Sequence, residues 1–376
     1  MQSTDDLEAW TVFTRAPGLN TALLDQALQM TGGAAPLLRA SSGEQARAGL
    51  SRATREYLHS AQGGITALES RWLDAARHHL LHYQAAEFPP LLRGAADCPI
   101  ALYVAGITEC LNDPQLAIVG SRNPTGAGRD NAFAFAQALS IQGLTITSGL
   151  AEGIDAAAHR GALAATGPTI AVLGTGIDVI YPRAHLKLSG DIEHQGALVS
   201  EFALQTPGLP ANFPQRNRII AGLSLGTLVI EAARRSGSLI TARLAGEAGR
   251  EVFALPGSIH NPLSRGCHAL IRQGAKVTEN VADILSELNF SSLFASDSGV
   301  QKVPAGAADT KPAMDKAHEI LLDALGFEPS DLDVLVLRTG FKPEEVSSMI
   351  LILELEGHVK SAHGGRYTRI PRSPAR

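Results

Sequence analysis

Three short segments of this sequence concentrate arginine, glycine and serine, residue types that together can bind an anion. They read GSR at 120–122, FPQRNR at 213–218 and SGSLIT at 236–241. The first directly follows an apolar run at 117–119 that has the pattern of a buried strand. Loops at the carboxyl ends of such strands and the starts of helices present free amides, and arginine adds paired hydrogen bonds to a phosphate. The segments therefore predict phosphate binding.

The second segment places positive charge where a helix does not favour it. Pro214 suits the first position of a helix, so Arg216 and Arg218 fall in the first turn. Cations there oppose the helix dipole, and an anionic ligand or an acidic side chain would justify them. Phe213, which comes just before, could stack on a nucleobase. In the alternative interpretation the arginines are neutralised inside the protein, by Glu201, Asp155 or Glu231.

Two segments allow both a functional and a structural interpretation. The residues at 236–238 precede a predicted helix and could bind an anion, but Ser238 could equally be an ordinary helix cap. In SGLAEGID at 148–155, Asp155 stands four residues before His159, which puts both on one helix face. Such a pair could do acid–base chemistry, or it could hold a loop in place.

Length and composition are those of a large globular protein. The chain has 376 residues, enough for two or three domains, of which 45% are hydrophobic and 18% charged. Its net charge of −5 excludes a protein covered in positive charge, as a DNA-packing protein would be. No apolar run could cross a bilayer, and no secretion signal begins the chain. We therefore expect a cytoplasmic protein.

Cysteine and histidine positions do not predict a metal site. The three cysteines, Cys98, Cys110 and Cys267, have neither metal-ligand spacing nor the pattern of a disulfide framework. Three histidines are expected on the exposed face of a helix rather than at a metal: His78, His79 and His82.

The sequence lacks three familiar nucleotide-binding or catalytic motifs. GTGIDV at 174–179 begins like a dinucleotide-binding fingerprint, but Val179 stands where the third glycine should be. There is no GxxxxGK[ST] phosphate loop and no GxSxG nucleophile elbow. We therefore expect no cofactor.

Alternating apolar runs and segments of helical period predict an α/β fold. The strands are expected at 117–119, 144–147, 169–173, 197–200, 225–230, 251–254 and 275–277. The intervening helices are expected at 127–142, 154–165, 183–194, 214–223, 238–248 and 264–272. Right-handed crossovers between these elements give a Rossmann-like, mainly parallel sheet with helices on both faces.

The regions before and after the predicted sheet are expected to form separate domains. Leu7, Trp10 and Phe13 have near-helical spacing, and a Pro-Gly turn at 16–19 separates them from a second helix. This arrangement resembles sterile-alpha-motif (SAM) and helix–hairpin–helix modules, although a simple helical cap is the alternative. We predict an N-terminal helical domain at 1–87, a Rossmann-like domain at 88–289, a linker at 290–315 and a winged-helix domain at 316–376.

The C-terminal region has the element order of a winged helix. Helices are predicted at 317–325, 330–337 and 342–355, and a hairpin follows at 359–370. The third helix of this fold usually reads a duplex groove. Here it carries mostly acidic charge, with Glu344, Glu345, Glu354 and Glu356 against Lys342. DNA would repel this surface, which favours a protein-contacting or purely structural winged helix.

Five motifs, taken in order, resemble the DNA-processing protein A (Smf) family. They are GSR at 120–122, SGLAEGID at 148–155, FPQRNRIIAGL at 213–223, EAARRSGSLITA at 231–242 and ALPGSI at 254–259. The resemblance covers about residues 88–288 and implies a homodimer, without catalytic activity, whose Rossmann-like domain binds single-stranded DNA. It also implies a role in natural transformation, in which the protein protects incoming single strands and loads the RecA recombinase onto them.

By position, the resemblance implies that Arg122 binds a phosphate and that Phe213 contacts a base. The predicted DNA-binding residues are Gly120, Ser121, Arg122, Ser148, Gly149, Phe213, Arg216, Asn217, Arg218, Ser236, Gly237, Ser238 and Thr241. Family members often carry a basic residue just ahead of the FP pair, but this chain has none at 210–212. Lys187 or Arg243 could compensate.

Two other functions remain open on the sequence. The same superfamily shape resembles nucleotide phosphoribohydrolases related to lysine decarboxylase-like proteins, in which Glu231 and Glu201 would be the catalytic acids. Those proteins carry a PGGxGT-type loop, whereas this chain has Gly226-Thr227 without the preceding glycine pair. A third possibility is an interaction scaffold whose helical ends bind proteins while the central domain dimerises.

Overall fold

The computed structural model describes residues 4–60, 64–259, 261–290, 316–325, 329–362 and 364–370. The chain divides into two compact units, Met1–Ser298 and Gly299–Arg376. The linker predicted at 290–315 lies outside the described residues except for Phe290. The limits given above for the four domains stay predictions.

The first unit is built on one large sheet. Its strands are β1 (His78–His82), β2 (Ala101–Gly106), β3 (Gln115–Gly120), β4 (Thr145–Ser148), β5 (Thr169–Val172), β6 (Ala197–Ser200), β7 (Gly226–Ile230), β8 (Glu251–Ala254) and β9 (Lys276–Val277). Within the described residues the order is β1-β2-β6-β5-β4-β3-β7-β8-β9. The strands from β6 to β9 in this order are parallel, and β1 and β2 extend the β6 edge in antiparallel pairing.

Fourteen α-helices are described in the first unit, six of them before the sheet, together with two 3-10 helices at Glu109–Asn112 and Arg183–His185. These six are α1 (Thr4–Arg15), α2 (Thr21–Thr31), α3 (Ala34–Arg39), α4 (Ser42–Arg47), α5 (Arg52–Leu58) and α6 (Ala67–Leu73). The others are α7 (Pro90–Arg93), α8 (Gly126–Ile141), α9 (Ile154–Ala164), α10 (Leu186–Gln195), α11 (Asn212–Leu223), α12 (Ser238–Glu247), α13 (Ser264–Arg272) and α14 (Val281–Glu287). None of the helices in the described ranges is long and apolar enough to span a membrane.

The central strands are buried on both faces, as the continuous apolar runs predict. In β3, Ala117 and Val119 belong to one hydrophobic core, whereas Leu116 and Ile118 belong to a second core that includes Phe135 of α8. Successive side chains of a strand point to opposite faces, so the two cores lie on opposite sides of the sheet. The α/β prediction is therefore confirmed, and each of the seven predicted strands is present within two residues of its expected ends.

The N-terminal helices pack onto the sheet through a shared core. Trp10, Phe13 and Leu24 belong to the same hydrophobic cluster as Leu102 and Tyr103 of β2. Within the described residues, this core therefore runs without a break from the helices into the antiparallel edge of the sheet.

The prediction of a helical face for His78, His79 and His82 was wrong, because these residues lie in β1. The strand pairs with β2, and its central leucines, Leu80 and Leu81, are buried. Two tryptophan rings stack on two of the imidazoles at centroid distances of 4.2 Å, Trp10 on His82 and Trp72 on His78. The partner strand and Trp10 are distant in sequence, so local spacing could not reveal these contacts.

The second unit is a small helical domain with a three-stranded sheet. Its helices are α15 (Lys316–Leu325), α16 (Leu332–Thr339) and α17 (Pro343–Leu355), and its strands are β10 (Ser330–Asp331), β11 (Val359–Ala362) and β12 (Arg366–Arg369). The strands pair in the order β10-β12-β11 within the described residues. The helix predicted from residue 330 begins instead at Leu332, because Ser330 and Asp331 pair with β12 and the Asp331 side chain caps the helix.

Candidate functional site

A cleft of about 540 Å³ opens at the carboxyl ends of the central strands. Strand β3 has β4 on one side and β7 on the other, so the chain proceeds across the sheet from β3 to β4 in one direction and from β7 to β8 in the opposite direction. Open α/β sheets bind ligands at this kind of switch point. Of the predicted DNA-binding residues, nine line the cleft: Gly120, Arg122, Phe213, Arg216, Asn217, Ser236, Gly237, Ser238 and Thr241.

Arg122 is an exposed cation at this edge of the sheet. It lies two residues after the end of β3, and its guanidinium carbon lies 5.5 Å from the centroid of the Phe213 ring. This cation–π contact orients the guanidinium over the cleft while leaving its N–H groups to a ligand. Gly120 permits the tight exit from the strand, because a Cβ atom there would collide with the carbonyl oxygen of Ile230 and the side chain of Ile154.

Phe213 forms a wall of the cleft next to Arg122. A Cβ atom on Gly174 would lie 2.8 Å from its ring, so the aromatic ring packs directly against the Gly174 backbone. The Asn212 side chain donates a hydrogen bond of 3.2 Å to the carbonyl oxygen of Gly174 and holds the start of α11 in place. The ring of Tyr181 lies 5.7 Å away, tilted by 48°.

Arg216 is a buried cation beneath the cleft, with only 4% of the residue exposed. Its guanidinium donates to the carbonyl oxygen of Gly149 at 2.8 Å and also to that of Val172. Burial lowers the pKa of Arg216 to about 10, and the charge of Asp155 acts in the opposite direction. A side chain on residue 149 would collide with the guanidinium, since a Cβ atom would lie 2.5 Å from one of its nitrogens.

Asp155 holds the other side of the same loop. Its carboxylate accepts hydrogen bonds from the amides of Gly149, at 3.1 Å, and Ala151, at 3.4 Å. Burial raises the pKa of Asp155, whereas the positive charge of Arg216 and the two amide bonds lower it. Asp155 therefore accepts a hydrogen bond from the N–H group of Gly149, and Arg216 donates one to its carbonyl oxygen. The two side chains together fix the position of this loop beneath the cleft.

His159, one helical turn after Asp155, is fully buried and is hydrogen-bonded within the protein. Its Nδ1 atom lies 2.8 Å from the Thr169 hydroxyl, which itself donates to the carbonyl oxygen of Ile146. The ring must therefore donate from Nδ1. Burial lowers the pKa of His159 to about 3, which keeps the ring neutral. Of the two interpretations of the Asp155–His159 spacing, the geometry fits the one in which these residues hold the fold.

Four of the predicted DNA-binding residues do not line the cleft: Ser121, Ser148, Gly149 and Arg218. Arg218 forms an ion pair with Glu201, so the internal network considered as an alternative is the arrangement found for this arginine. Ser148 is fully buried, and its hydroxyl donates a hydrogen bond of 2.6 Å to the carbonyl oxygen of Ile118. The prediction that Pro214 begins the helix and places both arginines in its first turn was wrong, because α11 begins at Asn212 and the arginines lie in its second turn. The sequence also could not show that the two side chains diverge.

The start of α12 also lines the cleft. The helix begins at Ser238, and the hydroxyls of Ser236 and Ser238 lie 2.7 Å apart. Asn217 links α11 to the start of α12, because its side-chain amide donates a hydrogen bond of 3.4 Å to the carbonyl oxygen of Gly237. Exposed Gly237 leaves the helix start open, which is the setting in which amides bind an anion.

The sequence interpretation missed Tyr181 and Gly208 as cleft residues. Tyr181 lies in the loop that follows the incomplete GxG motif at 174–176. The length of this loop was the sequence feature that could have indicated its part in the cleft. Neither cation named as a substitute for the missing basic residue lines the cleft, and Arg243 is paired with Glu247 at 3.6 Å. No cluster of potential metal ligands occurs among the described residues.

Both glutamates proposed as catalytic acids are engaged elsewhere. Glu231 accepts hydrogen bonds from the amide of Thr125 at 2.8 Å and from its hydroxyl at 2.6 Å, and a third from Asn261 at 3.3 Å. These bonds tie the end of β7 to the cap of α8. Glu201 pairs with Arg218.

Comparison with known proteins agrees with both units. A sequence model described as DNA recombination-mediator protein A matches residues 79–289, and one described as DprA winged helix domain matches residues 305–365. Protein Smf of Escherichia coli (strain K12) is 45% identical over 305 residues, which are 80% of this chain and 80% of that protein. DNA processing protein DprA of Streptococcus pneumoniae is 47% identical over 194 residues, 52% of this chain and 68% of that protein.

Two solved structures share the fold. The X-ray structure of DNA processing protein A from Streptococcus pneumoniae aligns with a TM-score of 0.66 and 36% identity, covering 76% of this chain and 99% of that one. DNA processing protein A from Helicobacter pylori, whose structure concerns its mode of binding single-stranded DNA, aligns with a TM-score of 0.52 and 29% identity, covering 57% and 97%. By its sequence, its fold and the order of its two units along the chain, this protein belongs to the DNA recombination-mediator protein A family.

Proposed function

We propose that this protein binds single-stranded DNA in the cleft and acts as a recombination mediator. In that role it protects incoming strands during natural transformation and loads the RecA recombinase onto them. The observation that supports the proposal most strongly is the position of Arg122, an exposed guanidinium held over the cleft by Phe213, above the buried charge of Arg216. A phosphate there would also meet the open helix start at Gly237.

A binding role fits the cleft better than a catalytic one. Asp155 is the one carboxylate in the described lining, and its oxygens hold two backbone amides. Glu231 and Glu201, the acids that a phosphoribohydrolase would use, are committed to structural contacts. We therefore favour a protein that binds DNA without cleaving it.

Partners other than DNA are proposed from family membership. These partners are a second copy of the chain and RecA, both met in the cytoplasm. The winged-helix unit suits a protein-contacting or structural role, because Glu344 and Glu345 are exposed on α17 and would repel a duplex. Leu351 and Leu355 are also exposed on this helix and offer apolar surface.

The proposed function is tested by fluorescence anisotropy over a salt series, with a labelled DNA single strand of about 20 nucleotides and the duplex of the same sequence. We expect tighter binding of the single strand. We also expect the logarithm of its binding constant to fall with the logarithm of salt concentration, with a slope of about −0.7 for each phosphate contacted. Equal or tighter binding of the duplex, or affinity that is independent of salt, would contradict the proposal.

A further inference from the structure

The cleft holds two aromatic rings, and they are not equally available to a ligand. The Phe213 ring has the guanidinium of Arg122 above it and the Gly174 backbone against its edge. Gly208 approaches it as well, since a Cβ atom there would lie 3.7 Å from the ring. Phe213 therefore makes several contacts within the protein, and its role as a direct base contact stays a prediction.

Tyr181 is more exposed than Phe213. It lines the same cleft, yet 51% of the residue is exposed. Its ring is approached from one side by Phe213, at 5.7 Å and a tilt of 48°, and by Gly208, where a Cβ atom would lie 3.4 Å from the ring. An exposed aromatic ring in a cleft that also presents the Arg122 guanidinium suits a ligand that combines a flat apolar surface with an anionic group.

Tyr181 and Arg122 both lie next to the Phe213 ring: the Tyr181 ring centroid is 5.7 Å and the Arg122 guanidinium carbon 5.5 Å from the Phe213 centroid. A strand that places one phosphate at Arg122 would therefore bring a neighbouring nucleotide to Tyr181. Because every base has a π face, stacking there would be tolerant of sequence. In a duplex the base faces are covered by their neighbours, and exposing one costs unstacking and unpairing energy.

We propose that Tyr181 stacks on an unpaired base next to the phosphate bound by Arg122, and that this contact makes the cleft select single strands over duplex. The proposal rests on the proposed function, since it assigns the second contact of the same strand. Phe213 then serves as the spacer that sets the distance between the phosphate contact and the stacking contact.

The test measures anisotropy with three labelled probes of equal length: oligothymidylate, an abasic oligomer with the same phosphates, and a duplex. For Tyr181→Ala we expect binding of oligothymidylate to weaken by roughly 5- to 100-fold, the usual effect of removing one stacking ring. Binding of the abasic oligomer should change far less, and the preference for single strand over duplex should shrink. Tyr181→Phe keeps the ring and should restore most of the affinity for oligothymidylate.

The matched control is Leu186→Ala, which removes an exposed apolar side chain near Tyr181 in sequence but outside the cleft. Circular dichroism checks that each variant is folded. If wild-type protein prefers oligothymidylate and Tyr181→Ala binds it equally well, the stacking assignment fails while the proposed function stands. If Tyr181→Ala loses affinity for the abasic oligomer to the same extent, the residue acts through the fold and the assignment also fails. A wild-type protein with no single-strand preference overturns the proposed function itself.

Discussion

Replacing Arg122 with glutamate is expected to weaken single-stranded DNA binding by at least about 100-fold at physiological salt. The change removes a charge-assisted hydrogen bond to phosphate, worth about 1.5–3 kcal/mol, and adds repulsion between the new carboxylate and the backbone. It also removes the cation that lies over Phe213. Because the side chain is exposed, the fold should be retained. Anisotropy with a labelled oligonucleotide measures the loss, and thermal unfolding checks the fold.

The matched control for this variant is Arg129→Glu. Arg129 is also exposed, lies seven residues further along the chain in α8 and does not line the cleft. It changes the net charge by the same amount, so general electrostatic attraction falls equally in both variants. Retained affinity in Arg122→Glu, or an equal loss in both variants, would contradict the assignment of the cleft.

Replacing Asp155 with alanine is expected to lower the free energy of unfolding by about 3–5 kcal/mol, the usual result of leaving a buried charge without its partner. Arg216 would remain buried with its counter-charge removed, and the amides of Gly149 and Ala151 would lose their acceptor. Urea denaturation of the full chain measures the change.

The double variant Asp155→Ala with Arg216→Met tests the reason for this loss. Once the arginine is also neutral, no uncompensated charge stays buried, so the double variant should be less destabilised than the sum of the two single variants. Asp191→Ala, an exposed aspartate on α10, should change stability by less than about 0.5 kcal/mol. A loss below about 1 kcal/mol for Asp155→Ala, or simple additivity, would show that the two charges do not act as a pair.

The central fold could be predicted because its elements are encoded locally. Buried parallel strands contain continuous apolar runs, such as 117–119 and 228–230. Helices such as α8 show an apolar period between clear start and stop residues. β1 could not be predicted in this way. Its strand character comes from pairing with β2, and Trp10 of α1 stacks on its last residue, His82; both are contacts between residues distant in sequence.

The candidate site shows the same division between local and distant information. The sequence identified the loops that meet at the sheet edge, because glycine, serine and arginine there have a recognisable chemistry. It could not show the direction of each side chain. Arg122 is open to solvent, Arg216 is buried under the loop and Arg218 faces Glu201, although all three are arginines in strong motifs.

Tyr181 illustrates what sequence motifs leave out. Its segment counts against a dinucleotide fingerprint, and taken alone it is an ordinary loop. Only the fold brings its ring to Phe213, across more than thirty residues of chain. A residue whose role depends on such a juxtaposition carries little local signal.

The most direct test of the account is a crystal structure of the chain with a short oligothymidylate. We expect a phosphate within hydrogen-bond distance, about 3 Å, of the Arg122 guanidinium, and a strand that runs through the cleft between Phe213 and the start of α12. A strand bound on another surface, with Arg122 making no contact to it, would contradict the central claim.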